Sequence, residues 1–444
     1  MRVLKFGGTS LGDANRIKGV ADIINNGETT FVVLSAMSGI TNLLYETYEA
    51  AKQNKTLEVE TRLEHIVNHF NLTHNQLLGE SSTDFSSEFI SPLRCLLLVA
   101  DLNLKRNDFV SLGEIMTVRL MYKYLQSIGV DVVYISALDF MWLNEAGEPD
   151  NDKIKSNLNR LVNQNADAVV YLTEGFICRD SNSEITNLSR GGSDYSATLI
   201  GAALQADEIQ IWSDVDGFHN NDPRYVSDAK PVRHMSYDEA AELAYFGAKI
   251  MHPSSVVPAR KTNIPIKLKN TLNPKDRGTV IQGFGRPDSI RAIAAKDEIT
   301  VIRIKSGRML NAYGFLRRVF TVFENYQIPI DVITTSEVAV SMTIESAHLQ
   351  PGLINDLQLL GEVEVTGNQS VICVVGDFNA DEHAVVAAVL GALEAIPVRM
   401  ISYGGSEINV TLVVNSQDKI EAINNLHNNL LQKNDGKQEL VEAV

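Results

Sequence analysis

The sequence predicts an α/β protein: a mainly parallel sheet sandwiched by helices, followed by two small βαββαβ modules. Three observations carry this. As far as residue 268, short apolar runs alternate with segments of helical spacing, the pattern of a sheet covered on both faces. Glycine-rich or small-residue loops follow several of those runs, where open α/β sheets place their ligands. Near the carboxyl end, a strand-turn-strand pattern beginning at Ile328 returns at Ile396, which reads as a duplicated module.

In order, Val3, Leu4 and Phe6 make the first strand, and Gly7-Gly8-Thr9-Ser10 turns the chain into a helix. Asp13 is a plausible cap for Ile17, Val20, Ala21 and Ile24, which follow helical spacing. Residues 31–34 are a buried strand that ends in the small-residue loop Ser35 to Thr41. Residues 42–105 are polar and helical and read as an insertion. A helix over 112–127 carries Gly113-Glu114 at its first turn, and strand 130–135, helix 153–165 and strand 168–172 follow. Polar residues at 179–187 suggest a hairpin, after which Ser189-Arg190-Gly191-Gly192-Ser193-Asp194 opens an alanine-rich helix to residue 205. Strand 208–212 ends at Ser213-Asp214-Val215-Asp216-Gly217, and helix 237–248 with strand 264–268 closes the alternation. Gly283, Gly285 and Pro287 mark a boundary. The domains expected are 1–283, 284–370 and 371–444. In the last two, Ile328-Pro329 with Ser336-Glu337 matches Ile396-Pro397 with Ser406-Glu407, each behind an amphipathic helix.

A net charge of -16, with no basic tract to offset it, excludes non-specific nucleic-acid binding. For anionic ligands, Lys5, Arg190, Arg224 and Lys249 become the cations of interest. Cys95, Cys178 and Cys373 form no paired spacing, which fits a reducing compartment. With no apolar signal region at the start and no apolar run of spanning length, the expectation is a cytoplasmic protein without a membrane partner.

The strand-glycine-helix junction at the start suits phosphate, because glycines admit the anion and helix N–H groups point at it. Lys5 beside it supplies a point charge. The Walker pattern and G-x-G-x-x-G are absent, so any nucleotide site is of another design. Ser213 to Gly217 lacks the rest of an EF-hand series, and the histidines show no metal spacing. Any magnesium therefore arrives with the nucleotide.

KFGGTS, SAMSGITN, SLGE, SRGGSDYSA, SDVDGFHNNDPR and FGAKIMHP, in that order and followed by the repeat, resemble the amino-acid kinase superfamily and within it the aspartate kinases. The resemblance covers essentially the whole chain. It implies transfer of the ATP γ-phosphate, with Mg2+, to the β-carboxylate of L-aspartate, the first step toward the aspartate-derived amino acids. That carboxylate is ionised at neutral pH, its pKa being about 3.9, and needs no general base. The resemblance makes Lys5 and Asp194 catalytic, and Ser35, Thr41, Glu114 and Arg190 substrate contacts. It assigns Lys5, Phe6, Gly7, Gly8, Ser213, Asp214, Arg224 and Lys249 to ATP, and His219 loosely, where relatives often carry tyrosine. Each has a bland alternative: a strand-edge lysine, a helix cap at Asp194, structural ion pairs at Arg190 and Glu114, a small-residue turn at Ser35 and Thr41.

The repeated module resembles the ACT domain, a sensor of small amino acids. In the first copy Met309, Gly314, Phe315, Leu316, Asp331, Thr335 and Ser336 are the expected effector contacts, since a helix start suits a carboxylate and Asp331 an ammonium. The second copy has Arg399 in place of Asp331 and reads as a structural partner. The pattern is most similar to lysine-inhibited members, with threonine the alternative effector, and ACT modules imply a homodimer. Two other readings stay open: another amino-acid kinase, acting on acetylglutamate or glutamate, and a catalytically silent sensor that kept the fold.

Overall fold

The computed structural model describes residues 1–79, 85–97, 102–188, 191–247, 250–283, 290–309, 313–376, 378 and 382–432. The chain forms two compact units, one of Met1–Phe218 with Ile250–Phe284, the other of His219–Lys249 with Gly285–Val444.

The first unit opens with β1 (Arg2–Phe6), α1 (Ala14–Ile24) and β2 (Thr30–Leu34). Asp13 caps α1 as expected, its carboxylate accepting the Arg16 N–H at 3.0 Å. The glycine turn before it does not enter this helix directly. It makes a short 3-10 turn, Gly8–Leu11, entered from an extended Gly7 whose N–H donates to the Trp212 carbonyl at 3.2 Å.

Four helices follow: α2 (Ile40–Lys52), α3 (Thr56–Leu78), α4 (Phe85–Leu97) and α5 (Leu102–Ser127). The stretch read as an insertion is helical, but it is no polar appendage. Leu44, Tyr48, Ile66, Phe70, Phe85 and Phe109 are buried in one cluster with Leu4, Phe6, Val32 and Leu34 of the sheet. α5 starts well before residue 112, which puts Glu114 in mid-helix rather than in a first turn. Backbone N–H groups there are spent on the helix.

Next come β3 (Val132–Tyr134), α6 (Asn151–Asn163), β4 (Val170–Glu174), the hairpin β5 (Ile177–Arg179) with β6 (Ile185–Asn187), α7 (Gly192–Leu204) and β7 (Glu208–Ser213). β8 (His234–Ser236) and α8 (Tyr237–Phe246) belong to the second unit, and α9 (Val256–Thr262), β9 (Ile266–Asn270) and β10 (Thr279–Gln282) return to the first. The strands of this unit run β3-β4-β2-β1-β7-β9-β10. β1 to β4, β7 and β9 pair in parallel, and β10 runs antiparallel to β9. β1 lies between β2 and β7, with Lys5 level with Val33 and Ile211.

The second unit is a six-stranded antiparallel sheet, built from β11 (Ile290–Lys305), α10 (Phe315–Asn325), β12 (Ile333–Thr335), β13 (Ala339–Glu345), α11 (Pro351–Gln358), β14 (Glu362–Gly376), α12 (Glu382–Ala392), β15 (Val398–Ser402), β16 (Asn409–Asn415) and α13 (Lys419–Leu426). The order is β12-β13-β11-β14-β16-β15. The two modules are interleaved, not in tandem at residue 370. β11 from Ile299 to Lys305 pairs with β13 and with the first half of β14. Its earlier half, Ile290–Lys296, pairs with the later half of β14, which in turn pairs with β16. The second module thus takes one strand from ahead of the first. The junction is a register shift after Lys296, where Glu298 (φ 58°) and Asn368 (φ 54°) adopt left-handed backbone.

Two apolar clusters follow that division. Phe315, Val319 and Phe323 of α10 pack with Ile302 and Ile304, whereas Ile293 packs with Val389, Leu412 and Leu426. Val226 lies in the second cluster, which explains why 219–249, expected inside the first domain, groups with the second unit. Among the described residues no helix is long and apolar enough to cross a membrane.

Candidate active site

Lys5 is not a strand-edge lysine. It stands on central strand β1 with its side chain 12% exposed, and Nζ lies 2.5 Å from Asp194 Oδ1 in the first turn of α7. Gly8 brings the first loop against the second: a Cβ there would lie 2.8 Å from the Ala36 carbonyl oxygen. That contact explains the second glycine of the pair.

A cavity of about 400 Å³ opens at these loops, lined by Gly8 and Thr9, by residues of 35–42 that include Ser35 and Thr41, by Glu114, and by Phe176, Gly192 and Ser193. The carboxyl ends of β1, β2 and β4 and the start of α7 therefore meet, as an open α/β sheet predicts. The Ser35 hydroxyl donates to Ser193 Oγ at 2.9 Å. Glu114 is buried; its Oε1 accepts the Ala36 N–H at 3.4 Å, while Oε2 has no hydrogen-bond partner among the described residues. Burial pushes the Glu114 carboxyl up to about 8, its backbone hydrogen bonds act against the rise, and the nearby Glu174 carboxylate adds to it. A cation placed at Oε2 would reverse that shift.

Ser213 ends β7, and its carbonyl accepts the Thr271 N–H at 2.8 Å and the Thr271 hydroxyl at 2.9 Å. The Thr9 hydroxyl donates to Asp214 Oδ1 at 3.4 Å, tying the glycine turn to the loop after β7. Phe6 stacks on Trp212, ring centroids 5.9 Å apart, beneath both loops.

The amino acid kinase family model matches residues 1–270, and an ACT domain model matches 372–430. The chain is 35% identical over 460 residues to "Aspartokinase 2, chloroplastic" of Arabidopsis thaliana, with 96% of this chain and 83% of that protein covered. The chain belongs to the amino-acid kinase family, among the aspartokinases. Two solved structures of E. coli aspartokinase III are similar to it over 97% of this chain and 100% of theirs. The complex with aspartate and ADP has a TM-score of 0.85 at 31% identity, and the complex with lysine and aspartate 0.82 at 32%.

In this aspartokinase His219 and Arg224 lie in the second unit. Arg224 is largely exposed and is paired with Asp222, Nη2 to Oδ2 at 2.6 Å, and His219 forms a backbone bridge with Pro231. Arg190 and Lys249 fall outside the described residues.

In the first ACT module Gly314 caps α10 with φ 76°, Phe315 is buried, and Met309 and Leu316 pack against the same cluster. Thr335 pairs with Val340 across β12 and β13, and the Ser336 N–H donates to the Ala339 carbonyl at 2.8 Å. Asp331 is buried, with a side chain 3% exposed. Its Oδ1 accepts the Tyr245 hydroxyl at 2.7 Å and Lys296 Nζ at 3.1 Å, while Oδ2 has no hydrogen-bond partner among the described residues. Tyr245 and Lys296 were not foreseen, because they are remote from Asp331 in sequence.

Phe176, Ser193 and Glu174 were also missed. Ser193 sits inside a quoted motif, and Phe176 follows strand β4 as the other loops follow theirs, so strand-end position alone would have found both. Glu174 is fully buried at the end of β4, and burial pushes its carboxyl up. The Tyr134 hydroxyl donates to its Oε1, and the Ala137 N–H to Oε2 at 2.9 Å.

Proposed function

We propose that this aspartokinase transfers the γ-phosphate of MgATP to the β-carboxylate of L-aspartate, giving 4-phospho-L-aspartate, and that L-lysine held by the first ACT module inhibits it. The observation that carries the first part is the partnerless Glu114 Oε2 in a hydroxyl-lined cavity beside the Lys5–Asp194 pair. A buried carboxylate oxygen of this kind suits the α-ammonium of an amino acid. Ser35 and Thr41 suit its oxygens, and Lys5 offers its charge to phosphoryl oxygens in flight. The acceptor carboxylate is already ionised, which leaves Asp194 to orient Lys5 rather than to act as a base on the acid.

The E. coli complex with aspartate and ADP supports the same pairing of ligands here. Among the described residues no group of three acidic, histidine or cysteine side chains could hold a metal by itself. A cation carried on ATP needs only one or two carboxylates, and Asp214, which accepts from Thr9, is placed to be one. Such a cation would supply positive charge to offset that of the phosphates. Arg190 for the substrate α-carboxylate completes the proposed set.

For the effector, Asp331 Oδ2 is the matching feature, a buried acceptor without a partner, and the E. coli complex with lysine supports lysine over threonine. We place the enzyme in the cytosol as a homodimer. The buried free thiols Cys178 and Cys373 suit a reducing compartment. Exposed Tyr313, Phe320 and Val338 on the first ACT module suit a partner copy.

The test is ATP-dependent product formation trapped as the hydroxamate, with aspartate, glutamate, acetylglutamate and no acid run in parallel, each with and without lysine. Aspartate-specific hydroxamate suppressed by lysine is the expected result. Product from another acid, or none, overturns the substrate assignment, and indifference to lysine overturns the effector.

A further inference from the structure

Phe176 is a bulky residue in a left-handed backbone conformation, φ 69°, and it lines the substrate cavity. For a residue with a large side chain that conformation is costly and persists only where neighbours over-determine it. Here they do. The Phe176 N–H donates to Ser196 Oγ at 2.9 Å, and the Phe176 carbonyl accepts the Leu188 N–H at 2.8 Å. One residue earlier, Gly175 lies so close to α7 that a Cβ would stand 2.4 Å from Ser193 Cβ. Two residues earlier, Glu174 is clasped by Tyr134 and Ala137.

Ser196 is completely buried, and its hydroxyl donates onward to the Gly192 carbonyl at 3.3 Å. Its proton and one lone pair are thus both used. The same turn of α7 carries Ser193 and Asp194, whose side chains face Ser35 and Lys5. The hydroxyl therefore joins the turn after β4 to the helix turn that bears the catalytic groups.

We infer that Ser196 is a positioning residue: it holds the Gly175–Phe176 turn in its strained form, so that Phe176 fixes the far wall of the cavity at the length of a four-carbon amino acid. This rests on the aspartate reading. Its consequence is selectivity, since one extra methylene in a pocket of fixed length costs roughly 10- to 200-fold in specificity. A wall free to relax would give up much of that ratio.

The experiment is a double-mutant cycle on Ser196→Ala and Phe176→Ala, with Ser196→Thr as the hydroxyl-retaining control. Ser196→Ala leaves the Phe176 N–H buried without an acceptor. The expected results are a KM for aspartate raised about tenfold, the scale of one lost buried hydrogen bond, a KM for ATP unchanged, and a narrowed preference for aspartate over glutamate. Ser196→Thr restores all three. In the Phe176→Ala background Ser196→Ala has little further effect, because both changes act through one wall.

Additive effects, or a fall in kcat with KM unchanged, overturn the inference. If the wild type takes another acid, the aspartate reading fails and the same cycle is read on that acid. Hydrogen exchange gives an answer independent of substrate. The Phe176 amide is slow in the wild type and in Ser196→Thr and fast in Ser196→Ala; a fast amide in the wild type overturns the inference even if Ser196→Ala does not fold.

Discussion

Lys5 Nζ and Asp194 Oδ1 lie 2.5 Å apart, joining the central strand of the catalytic sheet to the first turn of α7. Each side chain is only 12% exposed, so the aspartate holds the ammonium in one place before any substrate arrives. Lys5→Ala is expected to lower kcat by roughly 10²- to 10³-fold, the scale of losing one electrostatic contact to a transition state. Lys5→Arg does not rescue it, because a planar fork cannot occupy the place of a point charge. Steady-state kinetics read the loss, and calorimetry with lysine shows the regulatory unit still binding its effector. Equal turnover in Lys5→Ala removes this residue from the mechanism.

Glu114 gives the enzyme a pH dependence of its own. Burial pushes its carboxyl up to about 8, where it holds a proton at neutral pH, and in the proposed role the ammonium of aspartate displaces that proton. Aspartate binding is expected to weaken as pH falls below 8, with KM rising toward tenfold per unit. Glu114→Gln has a high KM and no such slope. Stability runs the opposite way. The folded state holds a proton that the unfolded state releases near 4.5, so the stability contribution is intact below that value and is lost as pH rises through about 8. Urea unfolding at pH 6 and 9 checks the sign: Glu114→Gln gains relative to wild type on going to pH 9, on the order of a few kcal/mol.

What the sequence made legible was local. Asp13, the glycine turn and the small-residue loops were readable because caps, turns and strand ends are written in adjacent residues. The two halves of β11 were not, since their partners are separated by the whole first module, and nothing in residues 290–305 says which half pairs where. The same holds for Ser196. Its place four residues after Gly192 reads as one more helical residue, and only the tertiary approach of Phe176 gives its hydroxyl a task. Glu114 shows an intermediate case: it lines the cavity, but its expected place in the first turn of the helix was wrong.

Asp331, the proposed effector contact, is shared by two groups. Lys296 and Tyr245 both reach Oδ1, and Lys296 also pairs with Glu345 at 2.9 Å. Removing the carboxylate and removing its lysine should therefore act oppositely. Asp331→Ala is expected to relieve lysine inhibition with activity largely kept. Lys296→Met leaves the carboxylate short of positive charge and is expected to lower the half-inhibitory lysine concentration several-fold, on the order of 1 kcal/mol. Inhibition curves on both variants decide it. Undiminished inhibition in Asp331→Ala moves the effector site elsewhere.

Glu239 anchors α8 within the regulatory unit in two ways at once. Oε1 accepts Arg291 Nε at 3.1 Å, with both side chains buried, and Oε2 accepts the Ser236 N–H at 2.6 Å to complete the capping box of α8. Removing one member of a buried pair takes Glu239 away from Arg291, which costs up to about 3–5 kcal/mol, and losing the carboxylate half of the capping box leaves the Ser236 N–H without its acceptor, which adds about 1 kcal/mol. Glu239→Ala is therefore expected to unfold at markedly lower urea than wild type. Ser236→Ala loses only the cap, because the ion pair remains, and its midpoint shifts much less. Replacing Glu239 and Arg291 together by apolar residues should recover part of the loss, since neither member of the pair then holds a charge in the interior. A Glu239→Ala midpoint no lower than that of Ser236→Ala would show that the pair contributes nothing beyond the cap.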